Sequence, residues 1–335
     1  MRQQQAERYR EPSFEEAVDI ADEVRQWRRD RRKVIAMRVV AALLIILAIG
    51  IGGFPTFLQY QSARELRNTS NRSAQAVAGW PYPQADEAFA AAKAYNRRLA
   101  ASGQPILGEA QDPFSQVQGS SQSSESGAAE SNSASAKDKE YQSLLDSGSG
   151  VMGTIRIPKI SVRLPIYHGT SQSALASGAG HLYGSSLPVG GRSAHAVITG
   201  HRGLVEAMMF TRLDEMRVGD YFYIEVMGRT LGYKVDRISV IEPNDTSNLK
   251  IVPGEDRVTL MTCTPYGVNT HRLLVSAVRS AIPGVVPEER NAAKDARLIA
   301  IAVSAGVLVS GMLLAWLRRR PWHIRRHAAW WPKRG

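Results

Sequence analysis

Two stretches of the chain hold no charged side chain. Residues 39–58 read VVAALLIILAIGIGGFPTFL and residues 298–317 read LIAIAVSAGVLVSGMLLAWL. Each reaches the roughly 20 apolar residues that a helix needs to cross a bilayer's hydrocarbon core. Core helices seldom run so long without a charge, so both stretches are expected to span a membrane. Ahead of the first, residues 12–33 predict an amphipathic helix, with Pro12 and Ser13 opening it and Glu15 and Glu16 in its first turn. Behind it, residues 61–71 are polar and predicted helical. Trp80-Pro81-Tyr82-Pro83 breaks that helix, and residues 85–101 resume one by propensity. These two helices are expected to form a stalk or to pack beside the following domain. Residues 115–136, mostly Ser, Gln, Gly, Asn and Ala, have the composition of a flexible segment.

From Tyr141 the pattern becomes that of β structure. Strands are predicted at 151–157, where Pro158 ends the run, and at 162–167, 194–199, 220–226 and 230–241, with a hairpin at Met227-Gly228-Arg229 joining the last two. Residues 171–176 predict a short helix capped by Ser171, and residues 204–216 one or two more. Two further strands follow at 257–262 and 273–278. Between them Pro265-Tyr266-Gly267-Val268-Asn269 reads as a turn in which Gly and Asn take positive φ. Seven or eight strands at this spacing indicate a closed barrel or sandwich.

Charge changes the picture once it is located. The formal net charge is +11, but residues 1–38 carry 10 Lys/Arg against 8 Asp/Glu and residues 318–335 carry 7 Lys/Arg and no acid. The region between the two ends is nearly neutral and has no basic stripe, which argues against nucleic-acid binding. The basic clusters Arg28-Arg29-Asp30-Arg31-Arg32-Lys33 and Arg318-Arg319-Arg320 abut the two apolar stretches. That is the positive-inside pattern, placing both termini in the cytoplasm and the intervening region outside the cell. With 38 residues ahead of it and no clean small-residue cleavage site behind, the first stretch reads as a retained anchor and not a signal peptide.

A lone cysteine, Cys263, then falls outside the cell, where an idle thiol is a liability unless it is buried or has a chemical role. It stands at the end of one predicted strand, and Arg272 stands at the start of the next. His201 lies between glycines where the strand ending at Thr199 stops, poised in a loop. His195, inside that strand, fits a satisfied core position better. His168 and His181 also sit beside glycines, so position alone does not single out His201. No pair of histidines has metal-ligand spacing. Cys, His and Arg at strand ends fit acyl transfer: a thiol nucleophile, an imidazole that moves the proton, and a guanidinium for the oxyanion. A papain-like hydrolase would instead put the nucleophile on a helix.

Thr259-Leu260-Met261-Thr262-Cys263 resembles the TLxTC signature of the sortases, the cell-surface transpeptidases of Gram-positive bacteria. Gly200-His201-Arg202 resembles the family's histidine loop, and Arg272 falls at the place of its arginine. The similarity covers roughly 141–280, includes Ile157-Pro158-Lys159-Ile160, Leu164-Pro165-Ile166-Tyr167-His168-Gly169 and Cys263-Thr264-Pro265-Tyr266-Gly267, and is greatest to class C, the pilin-polymerising sortases. It implies a mainly β fold, an eight-stranded closed barrel with short helices, preceded by a helical stalk and flanked by two transmembrane helices. It implies that Cys263 attacks the Thr–Gly bond of an LPxTG-like sorting signal, with His201 as acid and base and Arg272 steadying the oxyanion. The acyl group would then pass to a lysine amine of a pilin subunit. No cofactor and no metal are implied. Asp112-Pro113-Phe114 matches the class C lid motif, with Asp112 expected to pair with Arg272 and Phe114 to cover the sulfur. The implied layout is a cytoplasmic arm (1–38), a transmembrane helix (39–60), a stalk (61–102), a lid and Ser-rich segment (103–140), the barrel (141–282), a linker (283–297), a second transmembrane helix (298–317) and a basic cytoplasmic tail (318–335). The alternatives are a housekeeping-type sortase that anchors proteins to peptidoglycan and a non-catalytic membrane-bound adhesin.

Overall fold

The computed structural model describes residues 14, 19, 21–107, 133–148, 150–204, 207–287, 305–306 and 308–312. The Asp112-Pro113-Phe114 motif and most of the second apolar stretch lie outside these residues. The chain divides into two compact units, one holding the chain up to Glu65 together with residues 205–207, and the other holding the rest.

Helix α1 (Ala21–Ala78) runs unbroken through the first apolar stretch and tolerates Pro55 inside it. The three helical segments expected from the sequence are therefore one. The helix is long and apolar enough to cross a membrane. Leu43, Leu44, Ile46, Leu47 and Ile49 are each more than half exposed, as lipid-facing side chains would be. Trp80 to Pro83 stop it, as expected, and α2 (Gln84–Ala101) follows.

In the second unit α2 packs on the barrel, the second of the two arrangements expected for it. Its buried Asn96 donates from Nδ2 to the Leu187 carbonyl and accepts from the Leu187 N–H. Asp86 pairs with Arg229, whose guanidinium also lies 4.4 Å from the Phe89 ring centre. Two short helices, α3 (Ala134–Lys137) and α4 (Lys139–Ser143), start at Ser133 and Asp138, whose side chains accept the N–H groups of Ala136 and Tyr141.

The barrel contains β1 (Val151–Ile157), β2 (Val162–His168), β3 (Ala179–His181), β4 (Ala194–Thr199), β5 (Tyr221–Val226), β6 (Arg229–Ile241), β7 (Asp256–Thr264) and β8 (His271–Arg279). The strands close in the order β1-β2-β3-β4-β7-β8-β6-β5. Two of the pairs, β2 with β3 and β4 with β7, are parallel, and the rest are antiparallel. A parallel pair needs a crossover. Between β2 and β3 it is α5 (Gln172–Ser177), capped by Ser171 accepting from the Ala174 N–H. β5 and β6 join through Met227-Gly228, both at positive φ, the requirement of a two-residue I′-like turn. Among the described residues of 204–216 there is one 3₁₀ turn, Leu213–Glu215, where one or two helices were expected.

The strands that matter most are β4, β7 and β8, adjacent in the barrel and buried on both faces over most of their length. On the face that carries Cys263 lie Val197, Met261 and Leu274, joined by Leu175 of α5, Leu182, Ile241 and Leu249. Leu107, the last described residue before 133, packs against the same cluster.

Candidate active site

Antiparallel register pairs Cys263 directly with Arg272 and Met261 with Leu274. Parallel register pairs Thr199 with Met261, and the ladder continues one residue past β4, where the Gly200 N–H donates to the Met261 carbonyl at 3.1 Å. Two residues beyond Thr199 stands His201, as Cys263 stands two residues beyond Met261. Cys263 and Arg272 thus sit side by side on neighbouring strands, with backbones about 5 Å apart, and His201 lies in the loop that leaves the strand on the other side of β7. Strand alternation turns the Cys263 and Arg272 side chains to the same face. All three are buried, at 7%, 4% and 3% exposure. Of the three residues expected from the sequence to act together, the register pairs Cys263 with Arg272, and His201 lies in the loop that follows β4.

Each member is held by local structure. Gly200 lets the Phe210 ring pack against the backbone beside His201, since a Cβ there would meet that ring at 2.7 Å. The Thr262 hydroxyl donates to the Gly200 carbonyl at 2.7 Å, and the Phe210 N–H donates to the His201 carbonyl at 3.0 Å. Burial pushes the His201 imidazole below its ordinary pKa, favouring the neutral ring at rest. Arg272 donates from Nη1 to the carbonyls of Asn269 and His271, each at 2.9 Å. The first carbonyl belongs to the turn in which Gly267 and Asn269 take the positive φ expected of them, and the second to the first residue of β8.

Other histidines are placed differently. His195 gives its Nδ1–H to the Lys250 carbonyl at 2.7 Å. Its Nε2 then accepts from the Thr259 hydroxyl at 2.7 Å, and that hydroxyl is bonded to Ser276 at 2.8 Å. His181 gives Nε2–H to the Ser186 carbonyl at 2.8 Å and accepts at Nδ1 from the Tyr141 hydroxyl at 2.9 Å. Burial pushes both rings down to about 4. His168 sets its two ring nitrogens against the carbonyls of Gly150 and Leu144. Among the described residues no three His, Cys, Asp or Glu side chains converge as metal ligands would.

Sequence reasoning treated Thr259 and Thr262 only as part of a motif. In the structure one anchors His195 and the other the loop that carries His201. Nor did it assign anything to Arg202, whose guanidinium reaches the end of β7. These contacts join residues about 60 positions apart, and residue type alone carries no trace of them.

Comparison with known proteins agrees with the barrel. The sortase-domain family model matches residues 155–280. The crystal structure of Streptococcus agalactiae sortase C1 in complex with MTSET is 39% identical, covers 64% of this chain and 98% of its own, and superposes with a TM-score of 0.54. Streptococcus pneumoniae sortase C is 36% identical, with 65% and 100% covered and a TM-score of 0.53. Among curated proteins, sortase A of Streptococcus agalactiae serotype III (strain NEM316) is 30% identical over 130 residues, 38% of this chain and 52% of that protein. Sortase A of Bacillus anthracis is 28% identical over 126 residues, 38% and 58% of the two chains. The chain spans about half the length of the curated relatives it matches. Near-complete coverage of two sortase C structures at more than 35% identity, on a closed eight-stranded barrel, leaves one assignment: the chain belongs to the sortase family, class C.

Proposed function

We propose that this protein is a membrane-anchored cysteine transpeptidase that polymerises pilins. The observation that carries the reading is the pairing of Cys263 with Arg272 on β7 and β8, with buried His201 in the loop that follows the neighbouring β4. In the first half-reaction the Cys263 sulfur attacks the threonine carbonyl of the Thr–Gly bond in an LPxTG-like signal. The thiol proton passes to His201, which burial keeps neutral and therefore able to accept it. Oxyanion charge develops beside Arg272, whose fixed guanidinium needs no rearrangement to meet it. Collapse breaks the C–N bond, the glycine amine leaves with the proton from His201, and a thioester remains on Cys263. In the second half-reaction a pilin lysine amine attacks the thioester, His201 takes its proton, and the sulfur departs and is reprotonated. The product is an isopeptide bond.

A lid formed by Asp112, Pro113 and Phe114 fits this reading. Leu107, five residues ahead of Asp112 in the sequence, lies against the cluster that contains Cys263. Helix α1 supports an N-terminal anchor. The apolar run at 298–317 and the basic residues flanking both runs support a two-pass topology with both termini cytoplasmic and the barrel outside. The layout set out from the sequence is kept on that basis.

A second reading, a sortase that anchors surface proteins to peptidoglycan, is favoured by the curated relatives being sortase A proteins. The lid motif and the second apolar run favour the polymerase. The test is to incubate the purified full chain with a pilin bearing a sorting signal and to follow products by denaturing electrophoresis and cross-link mapping. Ladders joined through a lysine isopeptide support polymerisation. An acyl-enzyme that reacts with peptidoglycan amines and never with pilin contradicts it.

A further inference from the structure

Arg202 follows the proposed catalytic histidine, and its side chain is only 7% exposed. From the loop that carries His201 it reaches across to β7. Nη1 donates to the Thr264 hydroxyl at 3.1 Å and to the Cys263 carbonyl at 3.4 Å. Nη2 donates to Asp214 at 2.6 Å. The guanidinium also lies 5.9 Å from the Tyr266 ring centre, in the turn between Cys263 and Arg272. Asp214 sits in the 3₁₀ turn Leu213–Glu215, which Arg212 fastens by two bonds of 2.7 Å to Glu215. One planar group therefore ties together the histidine loop, the cysteine strand end and the turn leading to the arginine strand.

We propose that Arg202 is a positioning residue for the transpeptidase site. It holds the backbone of Cys263 at a fixed distance from the His201 loop, and this role rests on the transpeptidase reading above. The need for such a tie follows from the fold. His201 lies beyond the end of β4, where ladder hydrogen bonds to β7 stop after Gly200. Thr262 secures Gly200 from the β7 side, and Arg202 secures β7 from the loop side. Without it, the distance between thiol and imidazole is set by a two-glycine loop. Displacements of about 1 Å at reacting groups cost up to roughly 100-fold in rate. A lysine keeps the charge but loses the planar fork that spans Thr264 and Asp214 together.

The test measures single-turnover acylation of the full chain by an LPxTG-type peptide, over a range of peptide concentrations. Arg202→Met is expected to lower the limiting acylation rate about 10–100-fold, while the half-saturating peptide concentration shifts less than about twofold. Arg202→Lys should recover part of the rate. Thr264→Val and Asp214→Ala, which each remove one contact, should fall in the same direction by less, and they serve if Arg202→Met does not fold. Wild-type rates in Arg202→Met, or in both single-contact variants, overturn the role given to Arg202. So does a loss confined to half-saturation, which would make it a substrate contact. A wild-type chain that forms no acyl-enzyme overturns the transpeptidase reading itself.

Discussion

His195 and His201 stand six residues apart in the chain, one inside a strand ladder and one just past its end, and the structure holds them differently. His195 lies within the β4–β7 ladder. Its two nitrogens are held by the Lys250 carbonyl and the Thr259 hydroxyl, and burial pushes it down to about 4. It can neither give nor take a proton without losing a buried hydrogen bond. His201 lies just past the ladder, in a loop bounded by Gly200 and Gly203. Burial lowers its pKa as well. The ladder's interior ties a histidine into the fold, whereas the loop past its end does not. Cys263 and Arg272 pair one residue short of the turn that joins β7 to β8.

The comparison can be broken first at its working end. Cys263→Ala should abolish the thioester, and His201→Ala should slow acylation by about 10²–10⁴-fold, the usual worth of positioned acid–base catalysis. Single-turnover kinetics with a sorting-signal peptide measure both, and near-normal acylation in either removes that residue from the mechanism. Arg272→Ala should cost about 10²–10³-fold in the same assay, as loss of an oxyanion donor does. An unchanged rate would return Arg272 to a packing role.

At the structural end the expected effects are smaller and of another kind. His195→Leu strands the Lys250 carbonyl and the Thr259 hydroxyl. It should destabilise the barrel by about 1–3 kcal/mol while leaving acylation, measured well below the unfolding temperature, within about twofold. Chemical denaturation reads the first and kinetics the second. A large acylation defect without destabilisation would put His195 in the mechanism.

The smallest effect is in the pH dependence. His195 has its folded pKa lowered to about 4 from an ordinary 6.5, so the unfolded chain takes up the proton first on acidification. Stability is complete above about 6.5, erodes as pH falls, and stops eroding near 4, where the folded histidine protonates too. Between pH 7.5 and 5.5 wild type should lose about 1.4 kcal/mol through this residue. His195→Leu should lose less by that amount. Equal losses would mean that His195 does not titrate between folded and unfolded states.

Much of the fold could be read from the chain because burial on both faces writes strands as unbroken β-branched runs. β1 and β4 match their predicted bounds, and Cys263 and Arg272 were read at the ends of neighbouring strands. β3 was missed: Ala179-Gly180-His181 is three residues long, two of them small, and too short to show a period. α1 was divided in three because its composition changes twice, yet nothing in it interrupts hydrogen bonding until Trp80. Between 204 and 216 the polar groups turn to one another, as when the Gly203 N–H donates to Thr211, and the chain folds into a loop where helices were expected. The site's members were legible because glycines, a lone cysteine and strand ends are local signals. Its supports, Arg202 to Thr264 and His195 to Thr259, are contacts across strands and were not.

The central claim is that Cys263 becomes acylated with His201 beside it as the proton carrier. Intact mass spectrometry of the full chain after mixing with an LPxTG-type peptide tests it most directly. The account predicts a mass gain equal to the peptide up to its threonine, mapped to Cys263, formed promptly in wild type and in His195→Leu and orders of magnitude more slowly in His201→Ala. No adduct in wild type, or an adduct on any residue other than Cys263, would contradict it.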